Sequence, residues 1–183
     1  HKFLLIHDDI ADNDKQRYSK LNLYGTYENK AKENFSVSDD ICDRYGLSVS
    51  MIAGDLNHDF VYEILNKCII KQEIKDTLVV EIQRIISLAS FGWKEEYDFT
   101  YKELSEVSEE ELLNNLEFIT SAYTTEGPAR FGGLLTGSLD EKILNGISAV
   151  TIPLGKAFQI TDDLHGTFNE ESGQNIKSDI SEG

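Results

Sequence analysis

The chain has 183 residues, with 33 Asp plus Glu against 17 Lys plus Arg, which gives a formal net charge of −16. This negative charge argues against nucleic acid as a partner and calls for cations at any site that binds phosphate. Hydrophobic residues make up 40% of the chain. That is enough for one sizeable core, and no apolar run approaches the ~20 residues that span a bilayer, so we expect no stable membrane insertion.

The first part of the chain favours helices separated by short breaks. We expect a helix over residues 1–19 and a turn over residues 22–26, which read Asn-Leu-Tyr-Gly-Thr. Residues 36–68 hold helical stretches, with a break expected at Gly46. The small residues within 53–55 indicate close packing of this segment against a neighbouring helix.

The second part of the chain also predicts helices. Apolar residues recur at three- and four-residue steps over residues 71–93, as in a helix with one buried face. Residues 108–111 and 138–141 both have capping-box spacing, which predicts that a helix begins at each. Pro153 predicts a bend or a restart in the last helix, which then continues to about residue 164. The predicted class is all-α.

The organisation of the chain predicts one domain over residues 1–183, because no repeat or linker divides it. Cys42 and Cys68 have no C-x-x-C spacing, which favours a reducing compartment over a disulfide scaffold. We therefore expect a cytoplasmic protein.

Two clusters of aspartate lie near the two ends of the chain. The first aspartate cluster is Asp8, Asp9 and Asp12, and the second is Asp162 and Asp163. On a helix, Asp8 and Asp12 lie one turn apart on one face. Carboxylates crowded in this way repel each other unless hard cations neutralise them, and Mg²⁺ is the usual partner beside a phosphate. A solvated acidic face is the common alternative, but both clusters continue from apolar stretches, where unpaired charge is costly.

Both clusters belong to longer motifs. The first is Asp-Asp-x-x-Asp, followed five residues later by Arg17, and the second is Gly-x-Ala-Phe-Gln-Ile-x-Asp-Asp-x-x-Gly over residues 155–166. These motifs resemble those of the trans-isoprenyl diphosphate synthases, or polyprenyl synthetases, and the resemblance covers essentially the whole chain. It implies an isoprenoid synthase-type helical bundle around a central cavity. Family members are longer, so we expect the chain to be their central part, without the upstream and downstream helices.

The resemblance implies a Mg²⁺-dependent prenyltransferase. Such an enzyme condenses an allylic diphosphate with isopentenyl diphosphate, here to farnesyl to geranylgeranyl diphosphates, and commonly works as a homodimer. By the same resemblance, Asp8, Asp12 and Asp162 hold the metal, expected to be three Mg²⁺ ions. The implied catalytic residues are Asp8, Asp9, Asp12, Gln159, Asp162 and Asp163. Gln159, one turn before the second cluster, would direct its side-chain carbonyl at the allylic cation.

The resemblance also implies substrate-binding residues. Arg17 would bind the diphosphate through its fork of donors, and Thr120, which remains from the family's Lys-Thr motif, would be a second substrate-binding residue. Lys177 would either serve a diphosphate, from a position three residues beyond that of the usual family lysine, or be a solvated loop cation. Phe3 and Leu4, about one turn before Asp8, would line the floor of the tunnel that receives the growing chain, where a large aromatic limits product length.

Three family cations are replaced in this chain. Tyr18 stands where a second Arg is usual, Ile119 where a Lys precedes Thr120, and Gln174 where a later Lys is usual. Each normally offers positive charge to a diphosphate, and a charge-assisted hydrogen bond contributes about 1.5–3 kcal/mol. The aspartate half of the site is kept, while the acceptor half is thin in cations.

Other functions stay open at this point. The missing cations suit a non-catalytic or weakly active subunit that assists an active synthase. They also suit a class I terpene cyclase, although the second metal motif of such an enzyme is usually Asn/Ser/Glu rather than Asp-Asp. A fourth hypothesis takes His7 and Asp8 as the metal pair of an HD-type phosphohydrolase, which needs further histidine ligands.

Overall fold

The computed structural model describes residues 1–137 and 140–168. The chain forms two compact units, the first of which is His1–Cys68, and the second begins at Ile69. The single domain stays a prediction. Three positions singled out above, Ser138, Gln174 and Lys177, lie outside the described residues.

The first unit contains three helices and one short hairpin. Its elements are α1 (Lys2–Ala11), β1 (Gln16–Arg17), β2 (Lys20–Leu21), α2 (Leu23–Asn34) and α3 (Asp39–Lys67). The two strands are antiparallel, with Gln16 opposite Leu21 and Arg17 opposite Lys20. Helices α1 and α2 both pack on the long helix α3.

The hairpin corrects two predictions. The helix expected over residues 1–19 ends at Ala11, and Asn13 just beyond it takes a left-handed conformation with φ of 55°. Tyr18 and Ser19, with φ of 53° and 58°, form the loop of the hairpin. The turn expected over residues 22–26 is instead the start of α2. The side chain of Asn22 accepts a hydrogen bond of 3.0 Å from the Gly25 N–H, so Asn22 is the N-cap of that helix.

Helix α3 runs without interruption through Gly46, so the break expected there is wrong. The close packing expected at residues 53–55 is confirmed. A Cβ atom at Gly54 would collide with the ring of His7 on α1. The glycine therefore lets the helix that carries the first aspartate cluster lie directly on α3.

The second unit is a series of helices. Its elements are α4 (Gln72–Thr100), a 3₁₀ turn (Leu104–Glu106), α5 (Glu109–Leu116), a π-helix (Glu117–Glu126), α6 (Gly127–Leu135) and α7 (Glu141–Phe168). The predicted capping box is confirmed: Ser108 accepts from the Glu111 N–H, and Glu111 accepts from the Ser108 N–H. Buried residues of α4 confirm its predicted apolar face: Leu78, Ile82, Ile85 and Ala89.

The π-helix packs along α7, close to Pro153. The hydroxyl groups of Ser121 and Thr125 donate to the carbonyls of Ile152 and Thr151, at 3.1 and 2.8 Å. These bonds support the backbone just before Pro153, and α7 continues as one helix to Phe168, beyond the end predicted from the sequence. The predicted restart at Pro153 is therefore wrong.

A buried ion-pair network connects α4 with α6 and the π-helix. Glu81 is paired with Arg84 at 2.6 Å and with Arg130 at 2.7 Å, and Arg84 also contacts Glu126 at 2.8 Å. Burial alone would raise the pKa of Glu81, but hydrogen bonds from Arg84 and Arg130 hold it below its ordinary value. Within the described ranges, no helix is both long enough and apolar enough to cross a membrane.

Candidate active site

The first aspartate cluster lies at the C-terminal end of α1. Asp8 and Asp9 belong to the last turn, and Asp12 is the C-cap residue, whose N–H donates to the Asp8 carbonyl. The C-terminal end of a helix carries unsatisfied carbonyls and a partial negative charge. Three carboxylates at this end add to that charge, so the local field attracts cations strongly.

Arg17 supplies a positive charge to this cluster. Its Nη2 atom lies 2.8 Å from Asp9 Oδ1 and 3.1 Å from Asp8 Oδ2, and its Nε atom lies 3.0 Å from Asp9 Oδ1. Asp9 is only 7% exposed. Burial alone would lower the pKa of Arg17, but its hydrogen bonds and charge interactions with Asp9 and Asp8 raise it. The guanidinium therefore stays charged and bridges two of the three aspartates.

The backbone before β1 is fixed by neighbouring groups. Asn22 donates through its side chain to the Asp14 carbonyl at 2.7 Å and through its N–H to the Lys15 carbonyl at 3.1 Å. The Lys15 ammonium is paired with Glu28 at 3.0 Å and with Asp43 at 2.6 Å. Although burial would lower the pKa of Lys15, these two carboxylates raise it. Lys15 is thus engaged in structural ion pairs, while Arg17 faces the aspartates.

Phe3 and Leu4 are both buried in the first unit, at 8% and 3% exposure. The Phe3 ring lies 5.0 Å, between centroids, from the ring of His58 on α3, and His58 lies 5.1 Å from the ring of Tyr62. The two residues predicted to line a tunnel floor are therefore packed one turn below the first aspartate cluster. Their role in substrate binding stays a prediction.

His7 is packed between α1 and α3. Its ring stands edge-on to Phe3 with centroids 6.4 Å apart, and its Nε2 atom lies 3.5 Å from Asp55 Oδ1. Gly54 provides the space for the ring. This placement fits a histidine packed beside the site better than a metal ligand.

The second aspartate cluster lies near the end of α7, where Asp162 and Asp163 are exposed. Gln159, one turn earlier, donates from Nε2 to Asp163 Oδ1 at 2.7 Å. Its Oε1 atom accepts from the buried Thr120 hydroxyl at 2.6 Å. The structure thus brings three predicted site residues into one hydrogen-bonded chain, Thr120 to Gln159 to Asp163, and fixes both ends of the Gln159 amide.

Two of the positions that lack a family cation, Tyr18 and Ile119, lie in different environments. Tyr18 is 75% exposed in the hairpin turn. Ile119 is half-buried and packs where Gly92 has no side chain. A cation that sequence reasoning missed is Lys156, inside the second motif, whose Nζ lies 3.0 Å from Glu117 Oε2 on the π-helix. The sequence signal for this lysine is its place inside the second motif, between Gly155 and Ala157.

The carboxylates of the first cluster suit a hard cation. Within residues 1–137 and 140–168, however, no three His, Cys, Asp or Glu side chains lie close enough together to form a complete metal site. Mg²⁺ beside a phosphate commonly takes one or two carboxylates, with water and phosphate oxygens as its other ligands. The carboxylates of Asp8 and Asp12, at a negative helix end, provide that donor set. An HD-type centre requires several histidine ligands, and the described residues do not assemble it.

Comparison with known sequences places the chain among isoprenoid enzymes. The model of the family described as "Polyprenyl synthetase" matches residues 1–183. The geranylgeranyl diphosphate synthase of Sulfolobus acidocaldarius is 27% identical over the whole chain and 50% of its own length. The corresponding enzyme of Saccharolobus solfataricus is 26% identical, with the same coverage. The chain spans about half the length of these curated relatives.

Solved structures show the same fold. Geranylgeranyl pyrophosphate synthase of Corynebacterium glutamicum, crystallised with isoprenyl diphosphate and magnesium, superposes with a TM-score of 0.84 at 24% identity, over 98% of this chain and 50% of that one. The synthetase of Pyrococcus horikoshii gives 0.77 at 26% identity, over 98% and 49%. The predicted all-α, isoprenoid synthase-type fold is confirmed.

Proposed function

Because the chain belongs to the polyprenyl synthetase family, we propose that its protein is a Mg²⁺-dependent prenyltransferase that joins an allylic diphosphate to isopentenyl diphosphate. The observation that carries the proposal is the pairing of Arg17 with Asp8 and Asp9 at the negative end of α1. It places anion-binding and cation-binding groups side by side, as a metal–diphosphate site requires. The two geranylgeranyl diphosphate synthases named above support a short product, which we propose to lie between farnesyl and geranylgeranyl diphosphate.

The aspartates would bind the metal and orient the leaving group. Asp8 and Asp12 would hold Mg²⁺ from the first motif and Asp162 from the second, with three ions in all. Bound Mg²⁺ neutralises the charge that builds up on the diphosphate as the allylic C–O bond breaks. Asp9, buried against Arg17, supports the cluster without needing to reach the substrate.

Arg17 would bind the diphosphate. A guanidinium presents a planar fork of N–H donors that matches phosphate oxygens, and it is not deprotonated at physiological pH. Its bonds to Asp8 and Asp9 already hold that fork beside the proposed metal ligands. The diphosphate is therefore bound between positive charges that the helix end itself has attracted.

The hydrogen-bonded series of Thr120, Gln159 and Asp163 would act at the allylic carbon of the substrate. Breaking the C–O bond leaves an allylic cation, which the Gln159 carbonyl oxygen would stabilise with the lone pair that Thr120 does not use. The double bond of isopentenyl diphosphate then forms the new C–C bond, and loss of a proton restores a double bond. The product is one isoprene unit longer.

The direct test is prenyl transfer by the full-length protein. Incubation with labelled isopentenyl diphosphate, an allylic primer and Mg²⁺ should give an elongated product, and Asp8→Asn should reduce its formation by roughly a hundredfold or more. Absence of product with every primer would contradict the proposal. Activity that requires a co-purified synthase would favour an assisting subunit instead. We further propose a cytoplasmic homodimer, which analytical ultracentrifugation and cell fractionation test.

A further inference from the structure

The side chain of Arg17 occupies one oxygen of Asp8, a carboxylate that the proposed function assigns to Mg²⁺. Its Nη2 atom is shared between Asp8 Oδ2 and Asp9 Oδ1, at 3.1 and 2.8 Å. A guanidinium and a divalent cation on the same carboxylate weaken each other's binding, because two positive charges a few ångströms apart repel each other outside bulk water. The present arrangement and a metal-loaded first cluster therefore compete.

The hairpin holds Arg17 in this position. Arg17 ends β1 and is paired with Lys20 across the turn formed by Tyr18 and Ser19. The backbone before β1 is tied to Asn22 through the carbonyls of Asp14 and Lys15. Since the strand is anchored on both sides, the guanidinium can exchange ligands by side-chain rotation without moving the backbone.

We propose that Arg17 is an ionic latch on the first aspartate cluster: it pairs with Asp8 as well as Asp9 before substrate arrives, and it releases Asp8 when a diphosphate accepts its guanidinium. This inference rests on the proposed function. A diphosphate resolves the competition because its oxygens can bind the guanidinium while the released carboxylate binds Mg²⁺. Metal binding and diphosphate binding are then positively coupled, and by linkage each increases the affinity for the other.

The latch predicts opposite effects of one substitution on two ligands. Arg17→Gln should bind Mn²⁺ alone about fivefold to tenfold more tightly than the unmodified protein, which corresponds to removing one partly exposed ion pair. The same variant should bind preformed magnesium diphosphate about tenfold more weakly or worse, because a charged ligand to phosphate is lost. A merely structural role for Arg17 would not strengthen Mn²⁺ binding.

Isothermal titration of the full-length protein tests the latch. Lys20→Gln is the matched control, since it removes the same charge from the paired position of the same hairpin, and both affinities should stay within about twofold. Arg17→Lys keeps a charge that can pair with the cluster, so its Mn²⁺ affinity should stay nearer to that of the unmodified protein. Circular dichroism verifies that each variant folds.

The outcomes separate the latch from the proposed function. If Arg17→Gln binds Mn²⁺ no more tightly than Lys20→Gln does, while the unmodified protein binds magnesium diphosphate, the latch is wrong and the metal–diphosphate site stands. If neither Mn²⁺ nor magnesium diphosphate binds to any variant, the proposed function is wrong, and the latch with it. If Arg17→Gln binds Mn²⁺ more tightly and magnesium diphosphate more weakly, and Lys20→Gln shows neither change, both the latch and the proposed function are supported.

Discussion

At the residue scale, neighbouring aspartates of the first cluster occupy different environments. Asp9 is almost fully buried and receives two hydrogen bonds from Arg17, whereas Asp8 receives one. A buried carboxylate needs a fixed partner to offset its desolvation. Asp9 therefore belongs to the framework of the cluster, and Asp8 is the better placed of the two to exchange Arg17 for a metal ion.

Phe3 provides a prediction about product length. Phe3→Ala removes the buried ring that lies one turn below the first aspartate cluster. If this ring closes the product tunnel, the variant should make longer polyprenyl products. The variant should also lose about 3–5 kcal/mol of unfolding free energy. Chromatography of dephosphorylated products measures the length. The control is Phe35→Ala, because Phe35 is half-exposed after α2, and an equal shift in that variant would contradict the assignment of Phe3.

At the element scale, the hairpin contains an unfavourable local sequence. Tyr18 and Ser19 both have positive φ, and together they form a two-residue loop between paired strands. Such loops strongly prefer Asn-Gly or Asp-Gly, because Gly, Asn and Asp take the left-handed conformation at lower cost than other residues. The sequence therefore carries no hairpin signal, which is why a helix was predicted through residue 19.

Ser19→Gly should stabilise the protein. The substitution removes the cost of the left-handed conformation, and we expect a gain of about 1 kcal/mol in unfolding free energy. Ser48→Gly is the matched control, because Ser48 lies inside α3 and the same change there should cost about 0.5–1 kcal/mol. Chemical denaturation measures both. Equal effects of the two substitutions would be inconsistent with strain at residue 19.

Gly155 in the second motif allows the π-helix to approach α7. A Cβ atom at this position would lie 2.5 Å from Ser121 Oγ and from Thr125 Oγ1. We expect Gly155→Ala to destabilise the protein by about 1–3 kcal/mol through overpacking. At Gly146, in the same helix, a Cβ would meet nothing within 4 Å. Gly146→Ala should therefore stabilise by up to about 1 kcal/mol. Thermal unfolding distinguishes them, and a stable Gly155→Ala would contradict the packing described.

At the scale of the whole molecule, depressed carboxyl pKa values predict sensitivity to acid. The pKa values of Glu28 and Asp43 are lowered mainly by hydrogen bonds from Lys32 and Lys15, and that of Glu81 is also below its ordinary value of 4.5. A carboxyl whose pKa is lowered by folding contributes stability above its unfolded pKa, and this is lost as the pH falls through its folded pKa.

Unfolding free energy should therefore be nearly constant from neutral pH to about 5 and should fall steeply below about pH 4. Denaturation at a series of pH values measures the slope. Glu81→Gln should lower the unfolding free energy at neutral pH. It should also make the fall of unfolding free energy with decreasing pH shallower, because one carboxyl whose pKa is lowered by folding is removed. An unchanged slope in that variant would show that Glu81 is not among the groups responsible.

The helical class and the family were predictable because they depend on long patterns. The apolar face of α4, the capping box at Ser108 and the two aspartate motifs are all visible in the sequence. What was missed depends on contacts between elements. Helix α7 passes through Pro153 beside two bonds from the π-helix hydroxyls of Ser121 and Thr125, and Arg17 reaches Asp9 only because a hairpin reverses the chain.

The central proposal is that the first aspartate cluster, together with Arg17, binds a metal-bound diphosphate. A crystal structure of the full-length protein with Mg²⁺ and an allylic diphosphate analogue tests it most directly. We predict Mg²⁺ on Asp8 and Asp12, bound to the diphosphate, and Mg²⁺ on Asp162, with the Arg17 guanidinium moved from Asp8 to a phosphate oxygen. A bound diphosphate with no metal ion on either cluster would contradict the account.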